Sequence, residues 1–321
     1  MVISKRKTVL AALTVAAMMV PGLARAEFIN VLTGGTSGVY YPMGVGMSKL
    51  FGDKIAGARP SVQATKASVE NLNLLQQGKG EIAFSLGDSV ISAWKGEADA
   101  GFPSPLKKLR GIAAIYPNYI QIVASKDSGI KTLADLKGKR LSVGAPKSGT
   151  ELNARAILAA AGMSYKDLSK VEYLPFAESV ELMKNRQLDA TLQSAGLGVA
   201  SIRDLSTSVE IVMVEVPPAL IAKAGAPFVE GTIPPNTYTG QTGAVNTAAV
   251  MNYLVTHEGV SEKLVYEMTK SIFENLPTLA AAHAAGRAIK LESALGGMAI
   301  PLHPGAAKYF AEKGIKIPAT N

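Results

Sequence analysis

Apolar and polar positions alternate in a way that predicts strands and helices in turn along the first third of the chain. Strands are predicted at 28–33, 61–64 and 82–86, and helices at 40–51 and 69–76. In the second of these helices Val69, Leu72 and Leu75 fall on one face. Such alternation is typical of βαβ units, so we expect an α/β domain whose parallel sheet is covered on both faces.

The same pattern begins again after Pro117. The sequence predicts strands at 120–125, 140–143, 171–174, 189–192 and 209–214, with helices at 132–136, 151–161 and 179–185. We therefore expect a second domain with a sheet of its own. The prolines at 217, 218, 227, 234 and 235 indicate an irregular stretch, after which residues 244–255 return the chain to the first domain and an apolar stripe at 264–272 forms a helix.

The first residues have the features of a secretory signal peptide. Lys5, Arg6 and Lys7 precede an apolar run from Val9 to Val20, and the small-residue motif at 24–26 predicts cleavage after Ala26. Removing this segment takes away four cations and no acid, so the net charge falls from +8 to +4. We expect a periplasmic protein, and the absence of basic runs with interleaved aromatic residues argues against a nucleic-acid partner.

Several kinds of chemistry are excluded or disfavoured by what the sequence lacks. There is no cysteine, so disulfides, zinc thiolates and a cysteine nucleophile are excluded. The three histidines, His257, His283 and His303, are scattered and predict no metal site. No phosphate loop or serine nucleophile elbow occurs. We therefore expect neither an enzyme nor a resident cofactor.

Polar, glycine-rich turns follow the predicted strands and form the candidate binding site. In parallel sheets ligands bind at the carboxyl ends of the strands, so turns from both domains can face one cleft. The first turn is 33–42, the second is 64–71, and the turn at 143–151 opens a helix whose free amides favour an anion. Two further turns, at 87–89 and 191–196, also end strands.

Several of these residues have a plain structural alternative. Ser68 and Ser148 are placed to cap the helices that follow them. Asp88 is suited either to accept a hydrogen bond from a ligand or to cap a helix, and Tyr116 and Tyr119 either stack on a ligand or fill the hinge. Lys147 either adds positive charge to the site or lies in solvent.

Taken in order, these segments resemble the TAXI family, the solute receptors of one branch of the tripartite ATP-independent periplasmic (TRAP) transporters. The resemblance rests on the following segments: 33–42, 65–72, 115–117, 127–130, 135–140 and 148–150. It implies a two-lobed periplasmic binding protein type II fold with two hinge crossings. The domains are then a signal peptide at 1–26, lobe I at 27–118 plus 250–321, and lobe II at 119–249.

The resemblance also implies a function. The protein would bind a small organic anion, an acidic amino acid such as glutamate or a dicarboxylate, and would dock transiently on TRAP membrane subunits for transport driven by an ion gradient. A periplasmic sensing module that reports to a sensor kinase is the alternative, and an enzyme such as a deaminase-type transferase on the same fold is a third.

The residues predicted to bind the ligand come from turns in both lobes. The family's pocket positions correspond here to the first turn with Tyr40, to Ser68, Asn71, Asp88, Tyr116 and 148–150, and to Gln193. Lys66 and Lys147 stand where relatives usually have glycine, and we hypothesise that they select a more anionic ligand. The predicted set is Thr36, Ser37, Gly38, Val39, Tyr40, Lys66, Ser68, Asn71, Asp88, Tyr116, Lys147, Ser148, Gly149, Thr150 and Gln193.

Overall fold

The computed structural model describes residues 26–317. The predicted signal peptide, except for Ala26, lies outside the described residues. Within 26–317, no helix is both long enough and apolar enough to cross a membrane.

The described residues form ten strands and ten α-helices. The strands are β1 (Glu27–Leu32), β2 (Ala58–Gln63), β3 (Ile82–Leu86), β4 (Leu109–Ser125), β5 (Arg140–Ser142), β6 (Lys170–Glu172), β7 (Ala190–Ala195), β8 (Ile211–Val214), β9 (Val229–Ile233) and β10 (Val245–His257). The helices are α1 (Tyr40–Lys54), α2 (Ser68–Gln76), α3 (Gly87–Lys95), α4 (Gly149–Ala160), α5 (Phe176–Lys184), α6 (Ala200–Ser208), α7 (Pro218–Ala224), α8 (Glu262–Phe273), α9 (Leu276–Ala282) and α10 (Pro304–Glu312).

All ten strands belong to one continuous hydrogen-bonded network. Its order is β2-β1-β3-β10-β4-β7-β5-β6, with β8 on β4 and β9 on β10. The outer pairs, β1 with β2 and β3, and β5 with β6 and β7, are parallel. The central strands β4 and β10 run antiparallel to each other and to their other neighbours.

This network corrects the expectation of two separate, purely parallel sheets. Strand β4 has 17 residues and β10 has 13, so each is long enough to take part in both halves of the molecule. Near its start β4 pairs with β10 around Ala113, and near its end it pairs with β7 around Ile122. The antiparallel centre follows because the chain passes from one half to the other along β4 and returns along β10.

The two-lobed arrangement is that of a periplasmic binding protein, as the sequence predicts. The predicted lobe boundaries, at residues 118/119 and 249/250, fall inside β4 and β10; the exact division stays a prediction. Apolar residues pack on both faces of the sheet. One cluster buries α4 and α7 side chains such as Ile157 and Ile221, and another buries α2 side chains such as Leu72.

The prediction of an irregular, proline-rich stretch after residue 216 was wrong for residues 218–224 and 229–233, whereas residues 234–244 contain no helix or strand, as predicted. Residues 218–224 form α7 and residues 229–233 form β9. Pro218 occupies the first turn of its helix, where its fixed φ favours the helix and its missing N–H would have had no partner. Proline therefore starts a helix here and does not break one.

Asn252 joins the two crossing strands to the helix that follows the first turn. It is fully buried in β10, where the register against β4 shifts between Met251 and Tyr253. Its side-chain amide donates to the Tyr116 carbonyl (2.9 Å) and to Asn118 Oδ1 (2.7 Å), while its Oδ1 accepts from the Tyr40 hydroxyl (2.5 Å). At this bulge, one polar side chain therefore connects β10 to both β4 and α1.

Replacing Asn252 by alanine should destabilise the whole fold. The change leaves the Tyr40 hydroxyl and two β4 oxygens buried without their partner, and each unsatisfied group costs about 1–3 kcal/mol. We expect Asn252→Ala to lower the free energy of unfolding by about 3 kcal/mol or more in urea titrations. Asn185→Ala, at an exposed position with a negative φ, serves as control. A loss below about 1 kcal/mol would show that the fold does not rely on this link.

Candidate functional site

A cavity of about 110 Å³ lies between the two halves of the molecule, at the carboxyl ends of the parallel strands. Its wall is formed by the turns that follow β1, β2, β5 and β6 and by the last residues of β3 and β7. As the sequence predicts, turns from both halves face one cleft.

Eight of the predicted ligand residues line this cavity: Gly38, Val39, Tyr40, Lys66, Ser68, Ser148, Gly149 and Thr150. Eleven further residues line it as well: Gly34, Gly35, Thr65, Ala67, Leu86, Asn118, Ala145, Pro175, Phe176, Ser194 and Ala195. Most of these additional residues belong to turns that the sequence singles out. Leu86, Asn118, Pro175 and Phe176 do not, and no motif in the sequence marks them.

The remaining predicted residues do not line the cavity, and they fall into two groups. Thr36 and Lys147 are exposed, and Ser37 is half-buried with its carbonyl accepting from the Ser201 amide (3.4 Å). The second group is buried in the protein interior and consists of Asn71, Asp88, Tyr116 and Gln193.

The interior residues support the walls of the cavity. Asn71 donates to the carbonyls of Thr33 (2.7 Å) and Phe84 (2.8 Å) and accepts from Thr65 (2.7 Å), so it fixes the first two turns. Gln193 accepts from Ser201 (2.6 Å). Tyr116 is about 1% exposed, and burial raises the pKa of its hydroxyl, which has no hydrogen-bond partner among the described residues.

Four helices begin at the cavity. The residues at their starts, Tyr40 of α1, Ser68 of α2, Gly149 of α4 and Phe176 of α5, all line it. The amide end of a helix carries a partial positive charge, and each such end favours an anion by about 0.3–1 kcal/mol. Two of these helices belong to each half of the molecule, so the positive ends face the cavity from both sides.

Free backbone donors remain at the start of α4. Ser148 caps α4 as predicted, with its Oγ accepting from the Glu151 amide (3.2 Å); this leaves the amides of Gly149 and Thr150 without an acceptor among the described residues. The prediction that Ser68 caps α2 was wrong. Ser68 is the first residue of the helix, and its Oγ accepts from the Leu86 amide (3.1 Å) of β3.

The side chains around the cavity offer donors and few free acceptors. The hydroxyl protons of Ser68 and Ser148 remain available, because both oxygens act as acceptors in the bonds just described. The Asn118 oxygen is occupied, because it accepts from Asn252, and one N–H of its amide donates to the Ser194 carbonyl (3.1 Å). Lys66 is the one charged side chain among the lining residues.

The two halves touch beside the cavity through bonds that depend on their close approach. The Glu70 amide of α2 donates to the Lys147 carbonyl (3.2 Å), Asn153 of α4 donates to Asp88 of α3 (2.5 Å), and Arg155 donates to the Asp99 carbonyl (2.7 Å). Ser194 donates to Asn153 Oδ1 and so orients that amide. The structure is therefore a closed form.

Asp88 lies inside this contact and does not cap a helix. Burial raises the pKa of its carboxyl to about 7, although hydrogen bonds from the Ser89 amide and Asn153 partly counteract the rise. Its Oδ1 is buried with no partner among the described residues. Within 26–317, no group of His, Cys, Asp or Glu side chains is arranged to hold a metal ion.

The raised pKa of Asp88 predicts a specific dependence of stability on pH. An unfolded aspartate titrates near 3.9. Between that value and about 7 the folded protein binds this proton more tightly than the unfolded chain, so the contribution of Asp88 to stability falls as pH rises and is lowest above pH 7. Asp88→Asn removes the titration.

We therefore expect the melting temperature of Asp88→Asn, relative to that of the unmodified protein, to increase from pH 5 to pH 8. The histidines titrate alike in both proteins, so their effect cancels in this difference. Asp99→Asn, at an exposed acid near the same contact, is the control. A difference that stays constant with pH would contradict the assignment of this titration to Asp88.

The fold is shared with several solved structures. They include the alkanesulfonate-binding protein SsuA from Xanthomonas axonopodis pv. citri bound to MOPS (TM-score 0.51, 15% identity, 89% of this chain and 90% of that chain) and a putative L-cystine ABC transporter from Listeria monocytogenes (0.51, 15%, 83% and 99%). PhnD1 from Prochlorococcus marinus in complex with methylphosphonate is a third (0.56, 11%, 82% and 91%). At these identities the similarity shows a common fold.

The family is shown by the sequence as a whole. The model of the NMT1-like family matches residues 31–314, which include every strand except the first residues of β1, every helix and all the turns that line the cavity. The more specific TAXI assignment stays a prediction. The chain belongs to the NMT1-like family.

Proposed function

We propose that this protein is a periplasmic solute-binding protein that closes around one small organic anion and delivers it to a membrane transporter. The observation that carries the proposal is the cavity between the two halves, which four helix starts face and whose free polar groups are mainly donors. A carboxylate, sulfonate or phosphonate presents only acceptor oxygens, and so matches these groups.

The comparisons add support of a general kind. SsuA is bound to MOPS and PhnD1 to methylphosphonate, so this fold holds anionic ligands in other proteins. Export to the periplasm rests on the predicted signal peptide. An enzymatic role is disfavoured, because the lining holds no histidine, cysteine or carboxylate to act as nucleophile or base.

The second part of the proposal concerns which kind of membrane transporter receives the ligand. The TAXI-like segments favour TRAP membrane subunits, with uptake driven by an ion gradient, and the same resemblance suggests glutamate or a dicarboxylate as cargo. One structural neighbour is named as an ABC transporter. ATP-dependent membrane subunits are therefore the second candidate partner.

Binding requires the halves to close, because no single half supplies the whole lining. The ligand would bind first to one half, and the contacts of the other half would form only on closure. The difference in affinity between the two forms then shifts the equilibrium toward the closed form.

A thermal unfolding panel tests the capture of an anion. Protein from residue 27 onward is unfolded and refolded to remove carried-over solute, and then melted with glutamate, succinate, alkanesulfonates and fatty carboxylates. A ligand that binds only the folded state at 100 times its Kd stabilises it by about 2.7 kcal/mol, which corresponds to a shift on the order of 5 °C.

We expect at least one anion to produce such a shift while its neutral amide does not. Equal shifts with an acid and its amide would contradict an anion site. No shift with any anion of the panel would contradict the proposed function itself.

Gly149→Ala tests closure. A Cβ at residue 149 would lie 2.6 Å from Leu86 Cδ1 and 2.7 Å from Ser68 Oγ, both in the opposite half. The clash exists only when the halves meet, so we expect at least about tenfold weaker binding of the panel's best ligand and a nearly unchanged melting temperature without ligand.

Gly243→Ala is the matched control, because nothing lies within 4 Å of its added Cβ. Both glycines have backbone conformations that alanine adopts readily. Unchanged affinity in Gly149→Ala would show that tight closure at this contact is not needed for binding.

A further inference from the structure

Carbon atoms form much of the cavity wall. Val39, Leu86, Pro175 and Phe176 line it from both halves, together with the smaller side chains of Ala67, Ala145 and Ala195. The Phe176 ring reaches across to the first turn, since a Cβ at Gly38 would lie 3.8 Å from its Cε2 atom.

Tyr40 also contributes mainly its ring. Its hydroxyl donates to Asn252, and its ring stacks on Phe84 with the centroids 5.0 Å apart. The hydroxyl is therefore already engaged, and Tyr40, which the sequence predicts as a ligand-binding residue, offers mainly carbon atoms. The aromatic and aliphatic lining as a whole favours a ligand with an apolar body.

The described residues that line the cavity include no aspartate and no glutamate. The neighbouring acids lie outside the lining: Asp88 is buried and accepts from Asn153 through one of its two oxygens, Glu70 accepts from the Lys66 amide (2.5 Å), and Glu151 pairs with Arg155 (2.7 Å). An ammonium group in the cavity would be removed from water without a carboxylate partner, which is costly.

The cavity also has few positively charged side chains. Lys66, itself exposed, is the single cation among the lining residues, whereas Lys147, the second lysine of the specificity hypothesis, is exposed and lies outside the lining. A second carboxylate on the ligand would then meet either the same lysine or the apolar wall. The charged side chains at the cavity therefore accommodate a ligand with one anionic head group.

Given the proposed binding function, we infer that the ligand is a monoanion with an apolar body and no amino group: a branched, linear or aryl-substituted carboxylate or sulfonate. The cavity volume of about 110 Å³ is room for on the order of ten water-sized atoms, which fits a head group with a body of several carbons. This ligand class is narrower than the glutamate or dicarboxylate that the sequence suggests.

A matched series of small acids, with six-carbon hexanoate as its reference, tests the inference by calorimetry on the refolded protein from residue 27 onward. Acetate, butanoate and hexanoate vary the apolar body. Norleucine adds an ammonium group to hexanoate, adipate adds a second carboxylate, and hexanesulfonate changes the head.

We expect affinity to rise about fourfold for each added methylene, since burying a methylene contributes about 0.8 kcal/mol. Norleucine and adipate should bind at least about tenfold more weakly than the tighter of hexanoate and hexanesulfonate. A flat series, or norleucine or adipate binding as tightly as that ligand, would overturn the inference while leaving anion capture intact. If neither these ligands nor the wider anion panel binds, the proposed function fails as well.

Lys66→Met separates the head from the body of the ligand. It removes the charge and keeps the apolar stem, so we expect roughly tenfold weaker binding of every anion in the series and an unchanged gain per methylene. Lys79→Met, an exposed lysine just beyond the other end of α2, is the matched control and should bind normally. Equal affinities in the two variants would overturn the role of Lys66.

Discussion

The constraint on which this molecule depends is that two long strands belong to both of its halves. Strands β4 and β10 lie side by side in the centre of the sheet, and every other strand joins the network through them or through their neighbours. Asn252 stabilises the centre of the sheet through hydrogen bonds to β4 and to Tyr40 of α1. The cavity can therefore be made by two halves that separate, while the strands that connect them stay paired.

The elements with strong local patterns could be predicted from the sequence, and those fixed by distant contacts could not. Strand β3 and the start of α1 lie where the apolar pattern places them, because the pattern reflects burial. The first eleven residues of β4 escaped prediction. They contain Gly111 and Pro117, which disfavour a strand locally, but the strand is kept by pairing with β10 more than a hundred residues away.

The candidate site shows the same division. Glycine and hydroxyl residues after strands were recognised as turns at the cleft, and turns from both halves do line one cavity. Leu86, Asn118 and Phe176 could not be chosen from sequence, because an apolar or amide side chain carries no local sign of facing a cavity. The role of Ser68 was misjudged for a related reason: its partner, the Leu86 amide, is 18 residues away.

The chemistry of the cavity follows from how the chain satisfies its own polar groups. Asn118, Asn153 and Ser194 bond to one another or to Asn252 and the backbone, so they stiffen the wall, and the oxygens of both amide side chains are occupied. Helix starts, by contrast, have amides that the helix cannot satisfy. Converging helix starts thus give a donor-rich site without a cluster of cations, and the apolar wall increases the strength of those donors by lowering the local dielectric.

The central claim is that the two halves close around an anion, and a distance measured between them tests it most directly. The chain has no cysteine, so spin labels can be attached to cysteines introduced at exposed Ala98 and Ala159, which flank the Arg155–Asp99 contact between the halves. Double electron–electron resonance on the ligand-stripped protein should give a long or broad distribution of distances between the labels. When the binding anion is added, the mean distance should shorten and the distribution should narrow. An identical distribution with and without the anion would contradict the account.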